Sequence, residues 1–125
     1  MIGYITLGTN DLPQAVAYYD EIMSLLGAGR FMEEERFVVW SKSPDSVGFS
    51  VIKPFDGKSA TVGNGSMIAL QVQSKEMVHE VYDKAIELGG TDEGKPGFRG
   101  GNFYCGYFRD LDGNKLNIFH ITENE

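Results

Sequence analysis

Apolar residues in this chain recur first at every second position and then at every third and fourth. Ile2, Tyr4 and Thr6 fall on one face and Ile5 and Leu7 on the other, which is the period of a strand. From Leu12 the phase changes. Leu12, Ala15, Val16, Tyr19, Ile22, Met23 and Leu26 form a single stripe at helical spacing, the mark of a helix with one buried face. Asp11 is placed to cap that helix with Gln14 three residues on, Pro13 suits its first turn, and Gly27 can close its far end.

The same pattern is written a second time. Met67 to Gln73 alternates as a strand, and Ser74 can cap a helix whose stripe is Val78, Val81, Tyr82, Ala85 and Leu88, ending at Gly89-Gly90. A shift of 63 positions brings Ile5 onto Ile68, Leu7 onto Leu70, Tyr19 onto Tyr82, Asp20 onto Asp83, Leu25 onto Leu88 and Gly27 onto Gly90. Matches at corresponding points of strand, helix and cap imply an internal duplication. Strand-like runs follow each helix: Arg30 to Glu34, Phe37 to Ser41 and Val47 to Lys53, then Thr91 to Lys95, Phe103 to Arg109 and Lys115 to Ile121. The last two are joined by Asp110-Leu-Asp-Gly-Asn114, a hairpin turn signal. The expectation is one α+β domain over 1–125: a βαβββ repeat at 1–53, a linker at 54–66 and a second repeat at 67–121.

Composition narrows the class. A chain of 125 residues with 42% hydrophobic content can fill one core. No run approaches the ~20 apolar residues of a membrane span, and the start lacks the basic flank of a signal peptide. Eleven Lys and Arg against eighteen Asp and Glu give a net charge of −7, which opposes nucleic acid and anionic membrane as partners. The sixteen glycines cluster between the periodic segments, where they favour tight turns between short strands. Cys105 is the lone cysteine, so neither an internal disulfide nor a cysteine-rich zinc site can form. A cytoplasmic location is the expectation.

Tyr4-Ile-Thr-Leu-Gly-Thr-Asn-Asp-Leu12, followed by Ala17-Tyr-Tyr19 and Leu26-Gly27, resembles the opening strand, capped helix and Leu-Gly stop of the vicinal oxygen chelate family. That family includes glyoxalase I, bleomycin-resistance proteins and extradiol dioxygenases. Tyr107-Phe-Arg-Asp-Leu-Asp-Gly-Asn-Lys-Leu-Asn117 resembles its F-x-D-P-D-G-N-x-x-E signature, with Leu111 in place of Pro. The resemblance implies two mixed sheets that curl into a ligand-holding cup with the helices outside, commonly around a divalent metal. It also implies a homodimer.

Alternation assigns faces within that expectation. If Ile5, Leu7, Ile68, Leu70 and Val72 pack on helices, then Tyr4, Thr6, Met67, Ala69 and Gln71 face the ligand. Leu116 and Ile118 take the helix side, leaving Lys115, Asn117 and Phe119 opposite. Metal-using relatives place His or Glu at the positions matching Tyr4, Met67 and Asn117, while the remaining ligand maps to Ser50 or Ile52. A protonated phenol, a thioether and an amide are poor donors to divalent zinc, manganese or iron. No metal or other cofactor is therefore expected. His79 lies off the apolar stripe, and His120 shares the helix-side parity of the last strand, so neither supplies a ligand spacing.

Other constellations add little. Glu33-Glu34-Glu35 reads as a solvated turn, Asp110 to Asn114 lacks the spacing of a calcium loop, and Gly57-Lys-Ser59 lacks a phosphate loop's first glycine. Cys105 has no neighbouring base to make it a nucleophile. In Lys95-Pro-Gly-Phe-Arg-Gly-Gly-Asn102 the glycines allow close backbone approach, and Arg99 with Lys53 could bind a negative group. Trp40 and Tyr104 complete the expected aromatic lining. The sequence thus predicts a metal-free family member binding a small organic molecule, with sequestration or resistance as one form. The expected ligand-binding set is Tyr4, Thr6, Trp40, Ser50, Lys53, Met67, Ala69, Gln71, Arg99, Tyr104, Lys115, Asn117 and Phe119. The alternative is a divalent-metal-dependent lyase or isomerase of lactoylglutathione-lyase type, or a dioxygenase relative, which would need an ion and a carboxylate base.

Overall fold

The computed structural model describes residues 1–123. The phase change at Asp11 is where strand β1 (Tyr4–Gly8) gives way to helix α1 (Leu12–Leu25). The Asp11 carboxylate accepts the Gln14 backbone N–H at 3.1 Å, satisfying a donor that the first helical turn leaves unpaired. Leu12, Ala15, Val16, Tyr19, Ile22 and Met23 of the stripe are buried, and Tyr18 joins them. Gly27 ends the helix at φ +80°, a left-handed conformation that costs glycine little.

Three strands follow: β2 (Gly29–Glu33), β3 (Phe37–Ser41) and β4 (Gly48–Ile52). They form a sheet in the order β1-β4-β3-β2, with β1 parallel to β4 and the other pairs antiparallel. α1 packs against β2, β3 and β4. Its Tyr19 ring lies 4.8 Å from Phe49 and 6.0 Å from Trp40, centroid to centroid.

The second half repeats the order with β5 (Ile68–Gln71), α2 (Lys75–Glu87), β6 (Thr91–Phe98), β7 (Phe103–Arg109) and β8 (Lys115–Ile121). Its sheet runs β5-β8-β7-β6, again with the first and last strands parallel. Val78, Val81 and Ala85 of α2 meet Phe108, Leu116 and Ile118, all six without solvent exposure. The β7–β8 turn is built on Asp110, whose carboxylate accepts the Asp112 and Asn114 backbone N–H groups at 2.9 Å each. α2 is one residue shorter than α1, so the helix-ending glycine that corresponds to Gly27 is Gly89, at φ +110°. The match of Gly27 with Gly90 slips by one.

The expected curling of the two sheets into a cup does not occur. Each is an open four-stranded sheet, and no ladder joins β1 to β2 or β5 to β6 among the described residues. Closure needs a tilted, staggered sheet whose last strand hydrogen-bonds to its first. Strands of five and four residues at the β1 and β5 edges supply no such seam. The chain divides into two compact units between Val62 and Gly63, inside the Gly-rich segment expected as a linker. Among the described residues no helix is long and apolar enough to cross a membrane.

Candidate functional site

In the first unit, burying Val38, Trp40, Phe49 and Val51 under α1 turns their alternate neighbours to the opposite face. There Tyr4 and Thr6 of β1, Phe37, Val39 and Ser41 of β3, and Gly48, Ser50 and Ile52 of β4 line a hollow of about 420 Å³. Phe31 and Met32 of β2 add to its wall, with Pro44 and Ser46 from the β3–β4 loop. No lining side chain is charged. The polar groups are hydroxyls. Ser50 donates to the Ile5 carbonyl at 2.7 Å, whereas the buried Ser41 Oγ has no partner. Gly48 keeps the floor close: a Cβ there would crowd Val39 Cγ1 at 3.0 Å and Tyr4 Cβ at 3.1 Å.

Of the expected binding residues in this unit, Tyr4, Thr6 and Ser50 come together and two do not. Trp40 lies beneath α1, 1% exposed, and its indole N–H donates to Asp20 at 2.9 Å. Lys53 follows β4 outside the hollow, its backbone N–H and carbonyl both engaged by Arg36. Phe31, Met32, Phe37, Val39 and Ser41 were not anticipated. Phe37 to Trp40 is apolar at every position, so alternation alone cannot say which side chains face α1.

In the second unit, Tyr107 and Asn117 are direct partners across β7 and β8. They lie on the face opposite α2, as do Cys105 and Phe119, which also pair. Asn117 is 1% exposed. The neighbouring Cys105 thiol, reinforced by burial, holds the Tyr107 phenol above its ordinary range. The Asn117 Oδ1 has no partner. The Arg99 guanidinium lies 5.6 Å and the Lys115 ammonium 5.4 Å from the centre of the Tyr107 ring. Phe119 stacks on Phe103 at 5.0 Å, while Met67, Ala69 and Gln71 on and beside β5 are exposed. Tyr104 points the other way, to His79 of α2, with its hydroxyl 2.6 Å from Nε2. His120 is tied by Nδ1 to the Val72 carbonyl at 3.0 Å.

The family model for the glyoxalase/bleomycin resistance protein/dioxygenase superfamily matches residues 1–118. The chain belongs to that superfamily. A glyoxalase/bleomycin resistance protein from Albidiferax ferrireducens T118 is 35% identical, with a TM-score of 0.88 over 96% of this chain and 98% of that one. A hypothetical protein from S. aureus is 25% identical, with a TM-score of 0.74 over 96% and 92%. A lactoylglutathione lyase from Agrobacterium tumefaciens shares the fold, at 18% identity and a TM-score of 0.72 over 96% and 92%. No curated protein matches the sequence.

The metal sites of this superfamily can be tested against the residues present. Register makes Ser50 the counterpart of Asn117: Ser50 pairs with Thr6 on β1, as Asn117 pairs with Ala69 on β5. The four expected ligand positions therefore carry a phenol, an alcohol, a thioether and a carboxamide. The Ser50 hydroxyl already donates to the Ile5 carbonyl. Among the described residues no three His, Cys, Asp or Glu side chains gather as a metal set. These residues do not fit the superfamily's divalent ion.

Proposed function

We propose that this superfamily member binds an uncharged, largely apolar small molecule without a metal ion, in the hollow on the first sheet. The observation that carries the reading is the uncharged lining of a 420 Å³ hollow, a volume within the ~300–1,000 Å³ of small-molecule sites. A charged ligand would lose its hydration there with nothing to replace it. The unpartnered Ser41 hydroxyl offers one directional contact, and a ligand with a single N–H or carbonyl beside an aromatic body meets that demand. Sequestration of such a compound is the role that best suits a site without a charged acid, base or ion. A symmetric homodimer is the assembly expected from the family, and light scattering of the purified chain reads it directly.

The test is a fluorescence titration with N-phenyl-1-naphthylamine, a neutral aromatic amine that brightens on leaving water. One saturable site per chain, unaffected by EDTA, is expected. Val39→Trp fills the hollow from the central strand, and Met32→Glu adds a charge to its exposed wall. Each should weaken the probe about tenfold or more, as loss of ~1.4 kcal/mol of contact implies. Binding that is unchanged in both variants, or that disappears with EDTA and returns with zinc, overturns the reading.

A further inference from the structure

The face of the second sheet opposite α2 carries an electrostatic arrangement that the hollow does not use. Arg99 follows β6 and Lys115 opens β8, the two strands that flank β7, so their cations approach the Tyr107 ring from neighbouring strands. Neither forms an ion pair among the described residues. The nearby acid Glu93 is taken by Arg109 at 2.9 Å. In a chain of net charge −7, two such cations at one ring form a local positive field in need of an anion. Arg99 spends one N–H on the Lys95 carbonyl at 2.6 Å, which anchors the guanidinium and leaves its remaining donors available.

The second requirement lies on the strand partner of Tyr107. Asn117 is almost fully buried opposite Tyr107, and its Oδ1 is an acceptor without a donor. A buried carbonyl left unpaired costs free energy until a ligand supplies an N–H or O–H. We propose that this face binds a small oxyanion, a carboxylate or phosphate that also carries an O–H or N–H. The anionic oxygens lie between Arg99 and Lys115, and the donor meets Asn117 Oδ1. Arg99 thus acts with Lys115, across β7. The residues are separate from those of the hollow, so failure of either site leaves the other standing.

The test is an amide NMR titration of the full chain with sodium glycolate, sodium acetate and inorganic phosphate, each at constant ionic strength set with sodium chloride. Saturable shifts at Tyr107, Phe108, Leu116 and Asn117 are expected from glycolate or phosphate, and the one that binds names the carboxylate or phosphate class. The Arg99→Gln/Lys115→Gln double variant, altered at exposed and half-buried cations, should keep the native spectrum and bind about tenfold more weakly. Acetate, lacking the donor, should bind more weakly than glycolate. Shifts that do not saturate, or an unchanged affinity in the double variant, overturn the site. Equal affinity for acetate and glycolate overturns the role of Asn117.

Discussion

Asp20 secures the wall of the hollow to the helix behind it, and its removal gives a quantitative test of the packing. Its carboxylate accepts the Trp40 indole N–H at 2.9 Å and the Arg30 guanidinium at 3.0 and 2.6 Å. Asp20→Asn removes the charge but keeps an acceptor for the indole. Asp20→Ala removes both, and Trp40 at 1% exposure has no water to turn to. An orphaned buried donor costs about 1–3 kcal/mol, whereas the Arg30 pair is solvent-exposed and contributes little. Asp20→Ala should therefore be about 1–3 kcal/mol less stable than Asp20→Asn, and Asn itself close to the parent. Urea unfolding followed by Trp40, the lone tryptophan, reads this difference. With a slope of about 1–3 kcal/mol per molar, the two midpoints should separate by roughly 1 M. Equal midpoints for the Ala and Asn variants would refute the reasoning.

Two pH dependences follow. Arg30, then Trp40, holds the Asp20 carboxyl below its ordinary 3.8 despite partial burial, so its contribution is present above pH 3.8 and is lost as acid titrates the native carboxylate. Asp20→Asn should flatten that part of the acid limb in a urea-midpoint series. Tyr82 is pushed up to about 12 from 10.0 by burial and by the Asp92 carboxylate, to which its hydroxyl donates at 2.6 Å. Its native state keeps a proton that the unfolded chain releases, so stability should fall between about pH 10 and 12; an identical fall in Tyr82→Phe would show another group to be responsible.

Both βαβββ units are legible because their signals are local and redundant. Asp11 and Ser74 cap where the periodicity changes, and clean alternation separates Leu116 and Ile118 from Asn117. Where a strand is apolar on both faces the reading fails, which is why Trp40 and Tyr104 were expected to face the ligand and instead pack toward helices. That the two sheets stay open rather than curling could not be read, since it depends on tilt and seam pairing that no residue pattern encodes. Arg99 and Lys115 were both expected to bind ligand, but their convergence on the Tyr107 ring was not read, for a related reason. The β6–β7 connection sets where the guanidinium comes to rest, and Lys95 fixes it there through a backbone carbonyl that carries no sequence signature.

Non-ligating side chains recur at the positions that the two repeats share. Tyr4 and Met67 are related by the 63-residue shift, Ser50 and Asn117 by strand register, and all four positions carry non-ligating groups. Native mass spectrometry of freshly isolated protein tests that claim most directly. The account predicts a chain mass with no stoichiometric divalent ion, alone or with a neutral organic adduct that Val39→Trp does not retain. One tightly held divalent ion per chain, surviving dialysis and accounting for activity, would contradict it.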